Sequence, residues 1–431
     1  MGMAIKNITS TVFSIATVLV IIGASLTVIA YGRGYRLDFT NKSFGTTGLV
    51  AATSDPTGAQ LFIDGKPKSA TNTNLNIAPG WYTVTVVKNG YQPWEKRIRV
   101  QGEVLTRVDA MLFSSNPSLF ALTTSGVTNP VLSPDGTKLA YVVPEVPEAT
   151  NGAQMVSRAG VWVLDLLDKP LGLNRDARQI VKREQLDTDQ ALLFWSPDSK
   201  QLLLTTNTNE AYLLESDKLN DIPKPQFDIT ILQKDWDEMR AAKEKEKLLS
   251  LKDEVMNIAT SSMSILSFSP DETKILYEAS HSTTIPVIIN PPLIGTNPTE
   301  EVREIKPGNL YVYDVKEDRN YFVGMTKDLI TQPLPTPSIQ PETLLQPISN
   351  FKFQISNSAI QWLPTSRHLV ITSKDKVEVM DCDGTNRKTV YAGPFWDGFV
   401  APWSNAGRLV ILTNLNPSAQ AIGNLYAVNI R

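Results

Sequence analysis

The sequence predicts a mainly β protein: a single N-terminal transmembrane helix, a small antiparallel β-domain, then a β-propeller of five blades, or six if a degenerate repeat lies within an insertion. Three observations carry that expectation. Residues 7–32 contain no charge. Short apolar runs between residues 48 and 113 are separated by Asp64-Gly65 and Asn89-Gly90, dipeptides that mark tight hairpins because glycine accepts positive φ. A strand–turn–strand pattern recurs five times between Leu132 and Arg408.

Composition sets the outer limits. The 431 residues are 42% hydrophobic and 20% charged, which supplies a core for two or three domains and excludes wholesale disorder. With 41 Lys+Arg against 44 Asp+Glu the net charge is -3. That balance lacks the basic field a nucleic acid requires, so no nucleic-acid partner is expected. Cys382 is the one cysteine; it has no intramolecular disulfide partner and lacks the companions of a structural zinc site.

The uncharged run divides the N-terminal region into a tail at 1–10, a transmembrane helix at 11–31 and a linker at 32–47. A helix of about 20 apolar residues crosses a bilayer, whereas the apolar part of a cleaved signal peptide is about 7–15 residues long. Length therefore favours an uncleaved anchor, although Val28-Ile29-Ala30 offers a peptidase modest side chains. Lys6 before the helix, against Arg33, Arg36 and Lys42 after it, leans toward a cytoplasmic body. A short tail ahead of a lone anchor favours export, and a cell-membrane protein with an extracytoplasmic body is the expectation taken.

Residues 48–113 read as the β-domain. The run 81–87 is rich in β-branched and aromatic residues, and Arg97-Ile98-Arg99-Val100 alternates charged with apolar, as strands do when one face meets a core and the other water. Three stretches then carry a resemblance: Pro56-Thr57-Gly58-Ala59 with Phe62-Ile63-Asp64-Gly65, Ala78-Pro79-Gly80-Trp81-Tyr82-Thr83-Val84, and Lys88-Asn89-Gly90-Tyr91-Gln92-Pro93-Trp94. Together they resemble a PEGA domain, with Thr57 in the glutamate position as the departure. The resemblance implies a surface-associated β-sandwich module without catalytic residues. Trp81, Tyr91 and Trp94 could offer a flat aromatic face to a glycan or peptide, but aromatics closing a thin core is the better reading.

Residues 117–431 carry the repeat. Its five turns are Leu132-Ser133-Pro134-Asp135-Gly136-Thr137-Lys138, Trp195-Ser196-Pro197-Asp198-Ser199-Lys200, Phe268-Ser269-Pro270-Asp271-Glu272-Thr273-Lys274, Trp362-Leu363-Pro364-Thr365-Ser366-Arg367 and Trp403-Ser404-Asn405-Ala406-Gly407-Arg408. Proline presets φ while Ser and Asp bond the local backbone. Each turn leads through a basic residue into one β-rich run, and a further strand follows, as repeated sheets of about four short strands require. With Met380-Asp381-Cys382-Asp383-Gly384-Thr385-Asn386-Arg387, the pattern resembles the WD-like repeats of TolB-type propellers. The fourth unit loses Ser and Asp, and the fifth loses Pro. Because the chain ends after the third strand of unit five, Leu119-Phe120-Ala121-Leu122-Thr123 is expected to supply the missing strand.

Two insertions stand out. Residues 234–258 combine strong helix formers with Leu248, Leu251, Val255 and Ile258 at helical spacing, so an amphipathic helix over or beside the ring is expected. Residues 331–347 hold five prolines and read as an extended loop.

Chemistry is sparse. The two histidines, His281 and His368, support no general base, and no nucleophile elbow, paired-histidine zinc motif or phosphate-binding glycine loop is present. Asp381-Cys382-Asp383-Gly384 has carboxylates but lacks the remaining ligands of a calcium loop. No catalytic, cofactor-binding or metal-binding residue is therefore expected, and no cofactor. The expected function is a non-enzymatic, membrane-anchored cell-envelope binding or scaffold protein. Its partners would be the membrane, through the N-terminal helix, and a protein or cell-surface polysaccharide at the propeller. Two alternatives stay open: a glycan-active enzyme using propeller carboxylates about 5–10 Å apart, and a cytoplasm-facing sensor or assembly platform. Oligomeric state is not legible.

Overall fold

The structure is a computed structural model that describes residues 2–32, 35–38, 43–145, 158–167, 177–329, 359–396, 398–415 and 422–431. The expected proline-rich loop at 331–347 lies outside the described residues. The chain forms two units, Met1–Leu112 with Pro291–Thr299, and Phe113–Asn290 with Glu300–Arg431.

Unit 1 begins with helix α1, Gly2–Gly32. Thr17 and Thr27 donate their hydroxyls to the carbonyls of Phe13 and Gly23, each at 2.8 Å. The expected transmembrane helix at 11–31 is overturned: among the described residues no helix is long and apolar enough to cross a membrane. The single-pass topology goes with it. A hairpin of Tyr35–Asp38 and Ser43–Thr46 follows.

The rest of unit 1 is two sheets. One holds, in spatial order, Lys66–Ala70, Gln60–Ile63, Gly80–Val87 and Trp94–Val100. The other holds Thr73–Ile77, Gly48–Asp55 and Leu105–Met111, and the last two run parallel rather than in the antiparallel arrangement expected. Parallel neighbours need a long crossover; here the other sheet lies in the intervening chain. Alternation puts Val50, Ala52, Leu61, Val84, Val86, Ile98 and Val108 into a shared core. Asp64 and Gly65 take φ of 49° and 73°, the hairpin turn that their dipeptide predicts.

Unit 2 is five four-stranded antiparallel sheets, the blades of a propeller-like fold. The first comprises Thr128–Leu132, Lys138–Val143, Gly160–Asp165 and Arg178–Lys182, the second Leu192–Trp195, Gln201–Thr205, Ala211–Glu215 and Lys224–Pro225. The third comprises Met263–Phe268, Lys274–Ala279, Asn309–Asp314 and Arg319–Met325, the fourth Ile360–Trp362, His368–Thr372, Lys376–Asp381 and Lys388–Ala392. Val400–Pro402, Arg408–Thr413 and Asn424–Asn429 make the fifth, completed by Ser118–Ala121 from the start of the unit, whose Leu119 lies opposite Val428. Joining the two ends of the unit in one sheet gives the fifth blade its fourth strand and closes the repeat.

The turn after each first strand explains the repeated motif. In the first three blades the serine hydroxyl donates to the aspartate, Ser133 to Asp135 and Ser196 to Asp198 at 2.6 Å and Ser269 to Asp271 at 2.7 Å. The same oxygen accepts the N–H of Lys138, Gln201 or Lys274, at 2.9 Å each time. The fourth turn position is left-handed in all five blades: φ is 70° at Gly136, 60° at Ser199, 57° at Glu272, 57° at Ser366 and 55° at Ala406. This shared geometry sets the fifth motif one residue out of the sequence alignment. Trp403 donates its N–H to Arg408 O as Ser133 does to Lys138 O, so the tryptophan stands in the serine position.

These turns make the fold acid-sensitive. Burial disfavours the charged form of Asp271, but hydrogen bonds from Ser269 and Thr273 and the charge of Lys274 outweigh it, lowering the carboxyl from 3.8 to about 2. Asp135 and Asp198 are lowered in the same way, their serine hydrogen bonds overcoming burial. A carboxylate depressed on folding contributes stability that is complete above its unfolded pKa and lost as pH falls through the folded one. Thermal midpoints should therefore be level above about pH 5 and fall between about pH 4 and pH 2; a flat midpoint through that window would show that the turns contribute nothing.

The insertion between the second and third blades is two helices, α2 at Ile229–Leu249 and α3 at Asp253–Ser262. They do not lie over or beside the ring as expected. Leu202, Leu204 and Leu214 of the second blade face the first blade, while Phe194, Leu203 and Leu213 on its opposite side pack on Trp236, Ile229 and Leu232 of α2. On the third blade Leu276, Leu310 and Val312 face the fourth, and Ile275, Tyr277 and Tyr311 pack with Leu251, Val255 and Ala259 from the α3 region. The helical pair is a wedge between two blades. Lys243 Nζ on α2 donates to Pro197 O in the second blade's turn at 2.8 Å, and Lys247 pairs with Glu272 in the third blade's turn at 3.0 Å.

Candidate functional site

In an up-and-down blade the first-to-second-strand turns share one end, and the second-to-third-strand loops lie at the other with the blade-to-blade connections. At the first end all five turns, 133–137, 196–200, 269–273, 363–367 and 403–407, have the same length. Neighbours are tied there: Asp135 N–H donates to Ser199 Oγ at 3.2 Å, and Asp271 N–H to Ser366 Oγ at 3.0 Å. The third-to-fourth-strand loops, among them 216–223, 315–318 and 382–387, lie at this end too, but the five turns themselves leave little room for individual chemistry. Among the described residues, the opposite end collects loops 206–210, 280–290, 300–308 and 373–375, with connections 183–191, 226–262 and 393–396. Function is more often carried by such variable loops on a rigid scaffold.

Several polar groups gather at that end. Arg183 pairs with Asp189 at 3.1 Å, Asp187 at 3.3 Å and Glu145 at 3.8 Å. Asp187 and Asp189 thus converge on a guanidinium rather than on one another. His281 Nδ1 lies 3.1 Å from Ser280 Oγ. On the fifth blade Trp396 and Leu415 remain partly exposed, with Trp396 N–H donating to Leu412 O at 2.7 Å. The surface mixes one acidic network with an apolar spot, which suits a protein surface better than a small-molecule cavity.

His368 lies elsewhere. It is buried, with Nδ1 2.8 Å from Thr365 Oγ1, Nε2 3.4 Å from Asp381 Oδ1 and Phe113 edge-on at 6.1 Å between ring centroids. Register explains it: Lys138 lies opposite Asp165, Gln201 opposite Glu215, Lys274 opposite Asp314, His368 opposite Asp381 and Arg408 opposite Asn429. The basic residues that sequence spacing aligned in units two and four, Lys200 and Arg367, are each one position too early. His368 occupies a recurring cross-strand pair and is structural.

The Asp381-Cys382-Asp383-Gly384 segment is a turn. Asp383 Oδ1 accepts from the Thr385 hydroxyl at 2.7 Å, and Asp381 Oδ2 from Asn386 Nδ2 at 3.0 Å. Gly384 is required there by its φ of 84° and because a Cβ would lie 2.5 Å from Phe322 O. Among the described residues no group of three potential ligands could hold a metal.

The aromatic trio of unit 1 divides. Trp94 is buried and Tyr91 packs against the same core. Trp81 points outward, 49% exposed, with the Arg97 guanidinium 5.0 Å from its ring centroid. Strand alternation carries the signal, since Trp81 is one residue out of phase with buried Val84 and Val86.

No curated protein matches the chain. Among solved structures, TolB from Acinetobacter baumannii aligns over 93% of this chain and 67% of its own at 13% identity and a TM-score of 0.21. Oligogalacturonate lyase in complex with manganese aligns over 74% and 96% at 11% identity and a TM-score of 0.24. At such scores the propeller assignment rests on the sheet topology of unit 2 itself. For unit 1 the comparison is direct: residues 47–116 match the model of the PEGA domain family.

Proposed function

We propose that this chain is a cell-envelope binding or scaffold protein that presents the loop-bearing end of its propeller to a protein partner. The observation that carries the reading is that the blade-to-blade connections, the helical insertion among them, share one end of unit 2, opposite the five uniform turns. The PEGA match supports a surface-associated setting. The acidic network around Arg183 and the apolar spot at Trp396 and Leu415 supply polar and apolar contacts of the kind that partner surfaces combine.

Cross-linking and pull-down from an envelope fraction test this, using the full chain, a Glu145→Arg/Leu415→Arg variant at the loop end and a Lys200→Glu variant at the turn end. All three positions are solvent-exposed, so each variant should fold. A single partner should be retained by the wild type and Lys200→Glu and reduced at least tenfold by the loop-end variant, about 1.4 kcal/mol or more. Equal recovery from all three, or no reproducible partner, overturns the reading.

A further inference from the structure

We propose that the outer face of the four-stranded sheet in unit 1 binds an acidic polysaccharide at a site built from Trp81, Arg97 and Arg99. The register places Arg99 directly opposite Trp81 and Arg97 opposite Thr83. Because side chains two apart on a strand share a face, all three project away from the core that receives Val84, Val86, Ile98 and Val100. Arg97 and Arg99 are both exposed and stand about 6.6 Å apart along Trp94–Val100, an edge strand that leaves a long ligand room to run past.

The chemistry of the three residues selects the ligand class. An indole half out of water on a flat sheet presents an apolar plane, suited to the C–H face of a sugar ring. The Arg97 guanidinium lies over one face of that ring, 5.0 Å from its centroid, and is held in place there beside the other face. Among the described residues neither Arg97 nor Arg99 forms an ion pair, which leaves two planar forks for carboxylates or sulfates. The carboxylates nearest this face are engaged: Asp64 Oδ1 accepts from Thr83 N–H at 2.8 Å, and Glu95 Oε2 from the Thr85 hydroxyl at 3.2 Å. Two free guanidiniums beside one aromatic plane match an anionic polymer made of rings. An acidic peptide would satisfy the charges but leave the indole unused.

The test uses the full chain and three polymers: alginate, a polyuronate; dextran, neutral with sugar rings; and polyglutamate, anionic without them. Affinity electrophoresis should show alginate binding at least tenfold tighter than dextran or polyglutamate and weakened by salt, since exposed charges are screened. Trp81→Ala and Arg97→Gln/Arg99→Gln should each weaken alginate binding at least tenfold, and Trp81→Phe should retain part of it. These side chains are exposed, so thermal midpoints should stay unchanged. Equal binding of polyglutamate, full binding by Trp81→Ala, or no binding of alginate overturns the proposal. The Glu145→Arg/Leu415→Arg variant should bind alginate as the wild type does, so failure of this site and failure of the propeller surface are separately visible.

Discussion

Replacing Trp236 with alanine is expected to destabilise unit 2 by about 3–5 kcal/mol, the range for truncating a large buried aromatic. Trp236 is 3% exposed and packs in the cluster formed by α2 with Phe194, Leu203, Ala211 and Leu213 of the second blade. The cavity would open on the face that α2, rather than a neighbouring blade, covers. The polar ties of α2 to Pro197 and Glu272 cannot offset the loss, because Lys247 and Glu272 are partly solvated and such a pair contributes about 0–1 kcal/mol. Lys245→Ala on the exposed face of α2 should change stability by less than about 0.5 kcal/mol. Denaturant unfolding gives the magnitude, and amide exchange gives the mechanism. If the helices are a wedge, Trp236→Ala should accelerate exchange in Leu192–Trp195 and Met263–Phe268 together; accelerated exchange in α2 alone would reduce it to a surface appendage.

Some of this architecture was legible because it is local. The turn motif is written in Ser133, Ser196 and Ser269 and their aspartates, whose hydrogen bonds close within five residues. What required long-range information was not legible. The fifth motif slipped by one because a tryptophan at 403 resembles those at 195 and 362, and only its hydrogen bond to Arg408 O shows that it replaces a serine. The parallel pairing of Gly48–Asp55 with Leu105–Met111 joins residues about 56 apart, beyond any periodicity. Helical spacing located an amphipathic helix at 234–258, but an apolar stripe does not say which surface it covers, and here two blades are packed on the helical pair. The uncharged run did mark a helix, α1, but among the described residues no helix is long and apolar enough to cross a membrane. Trp81 was legible in principle, since counting by twos from Val84 separates it from the core, but grouping it with Trp94 and Tyr91 by residue type concealed that phase.

The other large effect is expected at Asp318, where alanine should cost about 3–5 kcal/mol by leaving buried donors without their acceptor and by removing one of the two carboxylates that face Arg303, Glu301 being the other. Asp318 is 3% exposed; Oδ2 accepts the N–H groups of Ile288 and Ile289 at 2.7 and 2.9 Å, and Oδ1 accepts the Tyr313 hydroxyl at 2.9 Å. Arg303 pairs with the same carboxylate at 3.3 Å and donates to Pro286 O at 2.7 Å, so one side chain ties the excursion after the third blade's second strand back to that blade. Burial disfavours its charged form, but the two backbone N–H groups, Tyr313 and Arg303 hold the carboxyl below its ordinary value. Its stabilisation is therefore complete above an unfolded pKa near 3.9 and is lost as pH falls through the folded value. Asp318→Asn separates the contributions: it tolerates the local φ of 52° and keeps the size, but removes the charge that faces Arg303. It should therefore cost less than Asp318→Ala at pH 7, and its deficit against the wild type should shrink as pH falls below about 4. Denaturant unfolding of both variants across pH 7 to 3 decides the point: a deficit for Asp318→Asn that does not change with pH would mean that hydrogen-bond geometry, not charge, anchors the excursion.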